Sequence, residues 1–319
     1  MSRNAAFRKM PRTPRYLKPF DPWRATSLCT CPFKYTVNPY TGCAHGCLYC
    51  YASSYIKRFF EPRPKANFLR LAAEDLRKVP RGSILNISSS SDPYQPLELT
   101  HGYTRRLLEL ASGSYVVEVV TKSDLVIRDV DLLARGPSVV SLTITTLDES
   151  LAARLEPRAP PPGRRLRAVE KLSENDIPVV VRVDPLIPGL NDAPESVKEV
   201  LEAVAAAGAR HVVSSTYKAR PESLRRLSEA FPDLIPRLRE LYAQGGERIH
   251  GYLYAPAAYR YRTLARVREQ AHRLNLTFAQ CREGFPELID PGISCDGTHL
   301  ALSRRALSPE RKSREAGVA

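Results

Sequence analysis

The sequence lacks any apolar run long enough to cross a membrane. A membrane-spanning helix needs about 20 predominantly apolar residues, whereas the apolar-rich stretch Pro178–Leu190 is interrupted by Arg182, Asp184 and several prolines. A secretory signal is missing as well, because Met1–Pro19 is basic and contains no apolar core. We therefore expect a cytoplasmic protein with no membrane partner.

Cysteine is too scarce for a fold that depends on disulfides. The chain has seven cysteines in 319 residues, whereas small domains stabilised by disulfides are much richer in them. Five of the seven lie between Cys29 and Cys50, and the other two are Cys281 and Cys295. In a reducing compartment such grouping indicates metal binding or catalysis. Repeats and low-complexity segments are also absent, and 43% hydrophobic residues exclude a disordered chain.

Acidic residues are in deficit relative to basic ones. The sequence has 34 Asp and Glu against 48 Lys and Arg, which gives a formal net charge of +14. Met1–Lys18 contains six basic residues and no acidic one, and Arg304–Arg314 is basic too. Such a surplus favours a polyanionic partner, for which nucleic acid is our first choice. The alternative is that the charge serves solubility alone.

Short β-rich runs alternate with amphipathic stretches over the first two thirds of the chain. The predicted strands are Lys34–Asn38, Ser83–Ser88, Tyr115–Thr121, Val139–Thr145, Val179–Val183 and His211–Thr216. The predicted helices are Phe68–Lys78, Tyr103–Leu110, Arg164–Glu174, Pro194–Ala207, Glu222–Ala230, Leu234–Gln244 and Arg260–Leu274. Strands that alternate with helices imply parallel pairing through right-handed crossovers. We predict an α/β protein with a partial (β/α)6 TIM-like barrel at residues 34–218, a basic N-terminal extension at 1–33, and a mainly helical C-terminal extension with a basic tail at 219–319.

The loop after the first predicted strand carries the strongest signal for a bound group. Cys43, Cys47 and Cys50 have C-x3-C-x2-C spacing, and Gly42 and Gly46 allow the backbone to wrap tightly round a bulky ligand. A tetrahedral zinc site needs four ligands, so zinc would require a fourth such as His45. A 4Fe–4S cluster on three thiolates would leave one iron open.

This cysteine loop resembles the signature of the radical S-adenosylmethionine (radical SAM) superfamily, in which C-x3-C-x-aromatic-C follows the first strand of a partial barrel. The resemblance implies that Cys43, Cys47 and Cys50 hold a 4Fe–4S cluster whose open iron chelates SAM. It further implies reductive cleavage of SAM to a 5′-deoxyadenosyl radical, which abstracts hydrogen from a substrate. Such chemistry also requires a low-potential electron donor.

Within the superfamily, the sequence is most similar to the spore photoproduct lyase and DNA repair photolyase-like group. The similar segments are Gly42–Tyr51 with its Cys-Tyr-Cys-Tyr ending, Ser91-Asp92, Val120–Lys122, Ser141–Ile144, Leu155–Pro157 and Arg165-Leu166. They extend over about Thr36–Asp192.

The resemblance implies roles for individual residues. Lys122 would pair with the SAM carboxylate and Ser141 would hydrogen-bond SAM. Tyr49 would pack near the adenine, and Tyr49 and Tyr51 would take part in hydrogen-atom relay. Asp92, together with Glu98, is a candidate acceptor for the SAM amino group or ribose, and Arg182 a candidate contact to SAM or substrate. The structural alternatives are a solvated lysine, a core hydroxyl, packing aromatics, a helix cap for Asp92 and a barrel ion pair between Arg182 and Asp184.

One departure from the lyase pattern concerns the hydrogen donor. Spore photoproduct lyases carry a cysteine shortly before the Ser-Asp pair, and it donates hydrogen to the product radical. Here the segment is Ser88–Asp92, with four serines and no cysteine. Since a serine O–H bond is too strong to donate hydrogen readily to a carbon radical, we do not expect repair of spore photoproduct itself.

The remaining four cysteines lie in two turn-rich segments. Cys29 and Cys31 precede the first strand, and Cys281 and Cys295 are near the C-terminus. They can close a second metal site holding zinc or another iron–sulfur cluster. Buried free thiols or a disulfide are the alternatives.

We therefore predict a radical SAM enzyme that acts on a nucleic acid, in repair or modification. One alternative is a radical SAM enzyme that modifies a protein or small molecule. Another is a zinc-stapled nucleic-acid-binding module without enzymatic activity.

Overall fold

One sheet organises the part of the chain that the computed structural model describes, residues 15–20 and 28–307. The strands are β1 (Lys18–Phe20), β2 (Lys34–Val37), β3 (Tyr40–Thr41), β4 (Arg63–Pro64), β5 (Ile84–Ile87), β6 (Val116–Thr121), β7 (Ser138–Thr143), β8 (Val179–Leu186), β9 (His211–Thr216), β10 (Glu247–Ile249), β11 (Tyr252–Tyr254) and β12 (Thr277–Gln280). Residues 1–14 and 308–319, which carry most of the basic residues expected to form terminal tails, lie outside the described residues.

The main sheet has the order β1-β2-β5-β6-β7-β8-β9-β12. Its strands from β2 to β12 pair in parallel, and β1 pairs with β2 in the antiparallel sense. The sequence prediction of an α/β partial barrel is confirmed. All six predicted strands are present, and Val/Ile-rich runs such as Val116–Thr121 identify them well because both faces of a parallel strand are covered.

Helices form the crossovers and most of the remaining structure. They are α1 (Phe68–Leu76), α2 (Leu97–His101), α3 (Tyr103–Ala111), α4 (Val130–Leu133), α5 (Glu149–Leu155), α6 (Pro162–Glu174), α7 (Pro194–Ala206), α8 (Pro221–Ala230), α9 (Leu234–Ala243), α10 (Ala257–Arg273) and α11 (Thr298–Leu307). Single 3₁₀ segments occur at Ala52–Ser54, Asp124–Asp129 and Pro286–Leu288. None of the described helices is both long and apolar enough to cross a bilayer.

Alternate residues of the parallel strands face two different cores. On the outer face Val117, Val140 and Val181 pack in the large core that includes residues of the crossover helices. On the inner face Val139 and Val180 belong to a smaller core, shared with Cys295 and Ala301 near the C-terminus. The C-terminal segment therefore fills the interior of the partial barrel at the end where the parallel strands begin.

A close backbone approach and a buried ion network hold that C-terminal segment in place. Gly297 has φ +72°, and a Cβ there would lie 2.0 Å from a methyl of Val180. Lys34 Nζ contacts carboxylate oxygens of Glu118 and Asp296, each at 2.7 Å. Glycine is required at 297 by both conformation and space.

The segment after residue 218 contains more strand than the sequence suggests. It is largely helical as expected, but β12 adds a seventh parallel strand next to β9, and β10 and β11 form a separate hairpin. The run Thr277–Gln280 is only four residues long and directly follows α10, so its pattern merges with the helical one. The division of the chain at residue 218 stays a prediction, since β12 belongs to the same sheet as the predicted barrel.

Candidate active site

The three clustered cysteines lie on a tight loop at the carboxyl end of β2. Gly42 has φ +80°, and a Cβ there would lie 2.3 Å from the Phe59 carbonyl oxygen, which accepts a hydrogen bond from the Cys43 amide. The Leu48 amide donates to the Leu155 carbonyl at 2.9 Å. These backbone bonds define the course of the loop. The nearness of the Phe59 carbonyl oxygen excludes any larger residue at position 42.

An arginine from the C-terminal region also holds the loop. Arg226, on α8, donates from Nε to the Leu48 carbonyl at 3.0 Å and from its terminal nitrogen to the Cys50 carbonyl at 3.1 Å. The same terminal nitrogen lies 2.9 Å from the Ser53 hydroxyl. A guanidinium is suited to this task because its planar fork bonds several acceptors at once.

The donor set of the loop fits an iron–sulfur cluster with one open iron. In the described structure none of the cysteines is in a disulfide, and Cys43 and Cys47 are buried. Burial raises the pKa of the Cys47 thiol to about 12, while the nearby Lys122 ammonium acts in the opposite direction. No three His, Cys, Asp or Glu side chains among the described residues converge on a single ion. Three cysteine thiolates that each hold one iron are the donor set of a 4Fe–4S cluster with its fourth iron open.

A buried polar network lies directly under the loop. Glu156 pairs with Arg165 at 2.5 Å, with 0% and 1% of the two side chains exposed. The Tyr49 hydroxyl donates a short hydrogen bond to Glu156. Burial raises the pKa of Tyr49 well above its usual value, and the neighbouring carboxylate adds to this effect. Tyr49 is therefore a neutral phenol anchored to a carboxylate.

Lys122 follows β6 and faces this network. Its Nζ lies 5.5 Å from the centroid of the Tyr49 ring, within cation–π range. Burial favours the neutral amine, but the electrostatic effects of Cys47 and Glu156 outweigh it and raise the pKa of Lys122. A persistent cation consequently stands beside the cysteine loop.

Asp92 joins three elements of the site rather than standing free. One carboxylate oxygen accepts from the Thr121 hydroxyl at 2.7 Å, and the other accepts from the Lys122 amide at 2.8 Å. His45 Nδ1 lies 3.4 Å from the same carboxylate. Glu98, also a candidate from sequence, is fully buried and accepts from Arg128 and the Tyr40 hydroxyl. Both carboxylates are thus engaged by protein donors.

Ser141 and Arg182 have different surroundings. The Ser141 hydroxyl is fully buried and finds no hydrogen-bond partner among the described residues. Arg182 pairs with Asp184 at 2.5 Å, and Asp184 accepts from the Ser215 hydroxyl at 2.5 Å. The barrel ion pair that the sequence left open for Arg182 is present. Ser141 therefore offers a donor that the described part of the chain does not use.

The serine segment after β5 lies beside the second tyrosine of the loop. Tyr51 has 41% of its surface exposed, and its hydroxyl donates to the Ser89 carbonyl at 2.7 Å. Ser88 and Ser91 are within 3.4 Å of each other through their hydroxyls. The segment that lacks a cysteine is therefore in direct contact with Tyr51 of the cysteine loop.

Several residues of the site carried no assigned role in the sequence. Arg226, and the buried pair of Lys218 with Glu283 at 2.8 Å, come from elements distant in the chain. Arg165 and Glu156 fall in segments similar to the lyase group, but nothing in their spacing predicts their ion pair. Long-range pairs of this kind have no local pattern, so only the tertiary structure reveals them.

Comparisons with known proteins agree with this fold. The sequence profile of the Radical SAM superfamily matches residues 37–204. Uncharacterized protein Rv2578c of Mycobacterium tuberculosis is 30% identical over 249 residues, which cover 72% of this chain and 71% of that protein. Uncharacterized protein MJ0683 of Methanocaldococcus jannaschii is 34% identical over 165 residues, covering 50% of this chain and 62% of that one. A spore photoproduct lyase mutant with bound AdoMet and dinucleoside spore photoproduct has a TM-score of 0.63 at 17% identity, covering 76% of this chain and 75% of that one.

A partial barrel with a three-cysteine loop at its carboxyl end defines the class of protein. The chain belongs to the radical SAM superfamily and is a radical SAM enzyme. Membership implies S-adenosylmethionine and a 4Fe–4S cluster as cofactors. This membership argues against the alternative of a zinc-stapled nucleic-acid-binding module without enzymatic activity. The likeness to spore photoproduct lyase concerns the fold.

Proposed function

We propose that this radical SAM enzyme acts on a nucleic acid that binds across a rim of tyrosines and arginines at the mouth of the barrel. The rim consists of Tyr51, Tyr55, Arg220, Tyr252 and Arg282. Tyr51 and Tyr55 follow Cys50 closely and are 41% and 55% exposed, with ring centroids 6.2 Å apart. Exposed aromatic rings next to a catalytic centre suit stacking with nucleobases.

The arginines of the rim lie against its third tyrosine. The Arg220 guanidinium is 4.0 Å from the centroid of the Tyr252 ring, and that of Arg282 is 5.0 Å from it. Arginine planes on aromatic faces can both stack on bases and contact phosphates. The net charge of +14 supports the same substrate class. The single observation that carries the proposal is the closeness of this rim to the cysteine loop, since Cys50, Tyr252 and Arg282 are all near enough to Tyr51 and Tyr55 to affect their pKa values.

We further propose that SAM binds between the loop and the barrel interior. The Lys122 cation would meet the SAM carboxylate, and the unused Ser141 hydroxyl would donate to SAM. Asp92 would act by holding the Lys122 amide and His45, since both of its oxygens accept from protein donors. Arg182 would set the charge of the interior while paired to Asp184.

The two tyrosines of the loop take different parts in this proposal. Tyr49 directs its hydroxyl to Glu156, so we assign it to positioning of the cysteine loop and of Lys122. Tyr51 is partly exposed at the mouth and is the better candidate for hydrogen-atom relay. Since serines occupy Ser88–Ser91, where the lyases have a cysteine, we propose a nucleic-acid repair or modification other than reversal of spore photoproduct.

When bound, the cluster and SAM supply a 5′-deoxyadenosyl radical for hydrogen abstraction. The protein contributes binding, orientation and exclusion of water at this site. Arg226 holds the loop carbonyls, the Glu156–Arg165 pair supports it from below, and Lys122 supplies a fixed positive charge. An external low-potential electron donor and a cytoplasmic location remain parts of the proposal.

The cofactor assignment is tested by SAM cleavage after anaerobic reconstitution. We expect the parent protein to produce 5′-deoxyadenosine with a chemical reductant and Cys47→Ala to produce none. Lys122→Met, which retains the length but not the charge, should weaken SAM binding while iron and sulfide per chain stay unchanged. Unchanged SAM affinity in Lys122→Met would remove Lys122 from the site.

The substrate class is tested by binding of short DNA and RNA at several salt concentrations. Affinity should fall steeply with salt, and Tyr55→Ala should weaken binding by about 5- to 150-fold, the equivalent of about 1–3 kcal/mol for one stacked base. Tyr55→Phe retains the ring and should bind normally. Tyr261→Ala, which removes a 40% exposed tyrosine of α10 outside the rim, is the matched control. An affinity for DNA and RNA that changes neither with salt nor in the rim variants would favour a protein or small-molecule substrate.

A further inference from the structure

The four cysteines outside the catalytic loop come together in the interior of the partial barrel. Cys31 and Cys295 have their Sγ atoms 3.1 Å apart, although 264 positions separate them in the chain. The Cys29 thiol is near enough to that of Cys31, and the Cys281 thiol to that of Cys295, for one to shift the pKa of the other. Two pairs of thiols from opposite ends of the sequence therefore form one continuous group.

This group lies where the two sides of the open sheet approach each other. Cys31 precedes β2, and Cys281 follows β12 directly, with its amide donating to the Ser214 carbonyl of β9. In the described structure β2 and β12 belong to opposite ends of the strand order and do not pair. Cys295 lies between them in the core of the barrel interior. Any group that binds all four sulfurs would join the two ends of the sheet.

Charged side chains lie close to the four thiols in ion pairs, Lys34 with Glu118 and Asp296, and Arg182 with Asp184. Lys34 acts electrostatically on Cys31, and Arg182 is close enough to Cys281 and Cys295 for their charges to act on it. A metal held by four thiolates carries net negative charge, and burying that charge is costly unless cations lie nearby. The neighbourhood is therefore polar, and its two cations are near enough to offset part of the charge of such a centre.

We propose that Cys29, Cys31, Cys281 and Cys295 form a tetrathiolate site for a thiophilic metal centre, a zinc ion or a two-iron cluster, which joins the two ends of the sheet. In the described structure the four sulfurs follow one another in a row and do not surround one common point. Metal binding therefore requires rotation of these side chains between staggered rotamers. Cys29 and Cys281 are only partly buried, which leaves room for this rotation.

The experiment uses the full chain with the catalytic loop disabled. The triple variant C43A/C47A/C50A lacks the ligands of the first centre, so any metal it retains belongs elsewhere. We expect purification without oxygen or chelators to yield a chain with bound zinc, or with iron and acid-labile sulfide. Elemental analysis and a sulfide assay distinguish a zinc ion from an iron–sulfur cluster. Adding Cys31→Ser and Cys295→Ser should remove the metal, whereas adding Ser294→Ala should not.

Cobalt provides a readout that does not depend on the folding of further variants. Titration of Co²⁺ into the metal-stripped, reduced triple variant should give the thiolate charge-transfer and tetrahedral bands of a cobalt–sulfur site. A folded triple variant with no bound metal and no such bands would overturn the proposal. So would an alkylation count showing that Cys31 and Cys295 form a disulfide in protein isolated under reducing conditions. These readouts are independent of SAM cleavage and of the substrate.

Discussion

Neutralising Glu156 is expected to destabilise the protein strongly while changing almost no volume. Glu156→Gln retains the shape of the side chain and an oxygen for the Tyr49 hydroxyl, but it leaves the buried Arg165 cation without its partner at 2.5 Å. Breaking a buried pair by removing one charge costs about 3–5 kcal/mol. That corresponds to roughly 10²- to 10³-fold or more in the unfolding equilibrium, since each 1.36 kcal/mol is about a factor of ten.

The assay is urea unfolding of the metal-free protein, compared with two further variants. Glu156→Gln combined with Arg165→Met should cost less than the sum of the single changes, because both charges leave the interior together. Glu174→Gln, in the exposed pair of Lys171 with Glu174, should cost less than about 1 kcal/mol. A Glu156→Gln variant as stable as this surface control would refute the reasoning that the pair supports the cysteine loop.

The same substitution should change the response to acid. Burial alone would raise the pKa of Glu156, but Arg165 and Lys122 outweigh it and hold the pKa below its usual value. A carboxylate with a depressed pKa stabilises the folded state above the unfolded value of about 4.3, and this contribution disappears as pH falls through the folded pKa. The stability difference between the parent and Glu156→Gln should therefore shrink as pH falls below about 4.

Three other changes test different parts of the fold. Gly297→Ala should destabilise by about 1–3 kcal/mol more than Gly292→Ala in thermal or urea unfolding. Both glycines have positive φ, but only a Cβ at position 297 would meet the Val180 methyl. Equal losses of stability would contradict the close packing of the C-terminal segment in the barrel. His211→Gln should flatten the pH dependence of stability between pH 6.5 and about 3. Burial lowers the pKa of His211 to about 3, so unfolding in this range takes up a proton, and the parent loses up to about 1.4 kcal/mol of stability per pH unit as pH falls. A parent protein whose stability does not change with pH in this range would contradict the prediction. Arg226→Lys should lower iron and sulfide per chain after reconstitution, because a lysine cannot replace the fork that bonds the loop carbonyls; normal loading would show that the loop needs no such support.

Much of the barrel is predictable because its strands are locally encoded. His211–Thr216 matches β9 fully, and the boundaries of most other strands differ by one or two residues. Continuous Val and Ile runs identify strands that are covered on both faces. The strands that escaped prediction, such as Lys18–Phe20 and Thr277–Gln280, are two to four residues long. They are strands because a neighbouring edge pairs with them, which is not a property of their own sequence.

The sequence by itself determined the class of chemistry, since three cysteines at this spacing after the first strand can be read without knowledge of any distant contact. It also indicated which residues follow each strand, because strand polarity fixes the end of the sheet at which loops meet. Only the tertiary structure decided what those residues contact. It paired Glu156 with Arg165, engaged both oxygens of Asp92, and left the Ser141 hydroxyl without a partner among the described residues. The physical reason is that hydrogen bonds and ion pairs depend on ångström distances between residues far apart in the chain, and local patterning does not encode those distances.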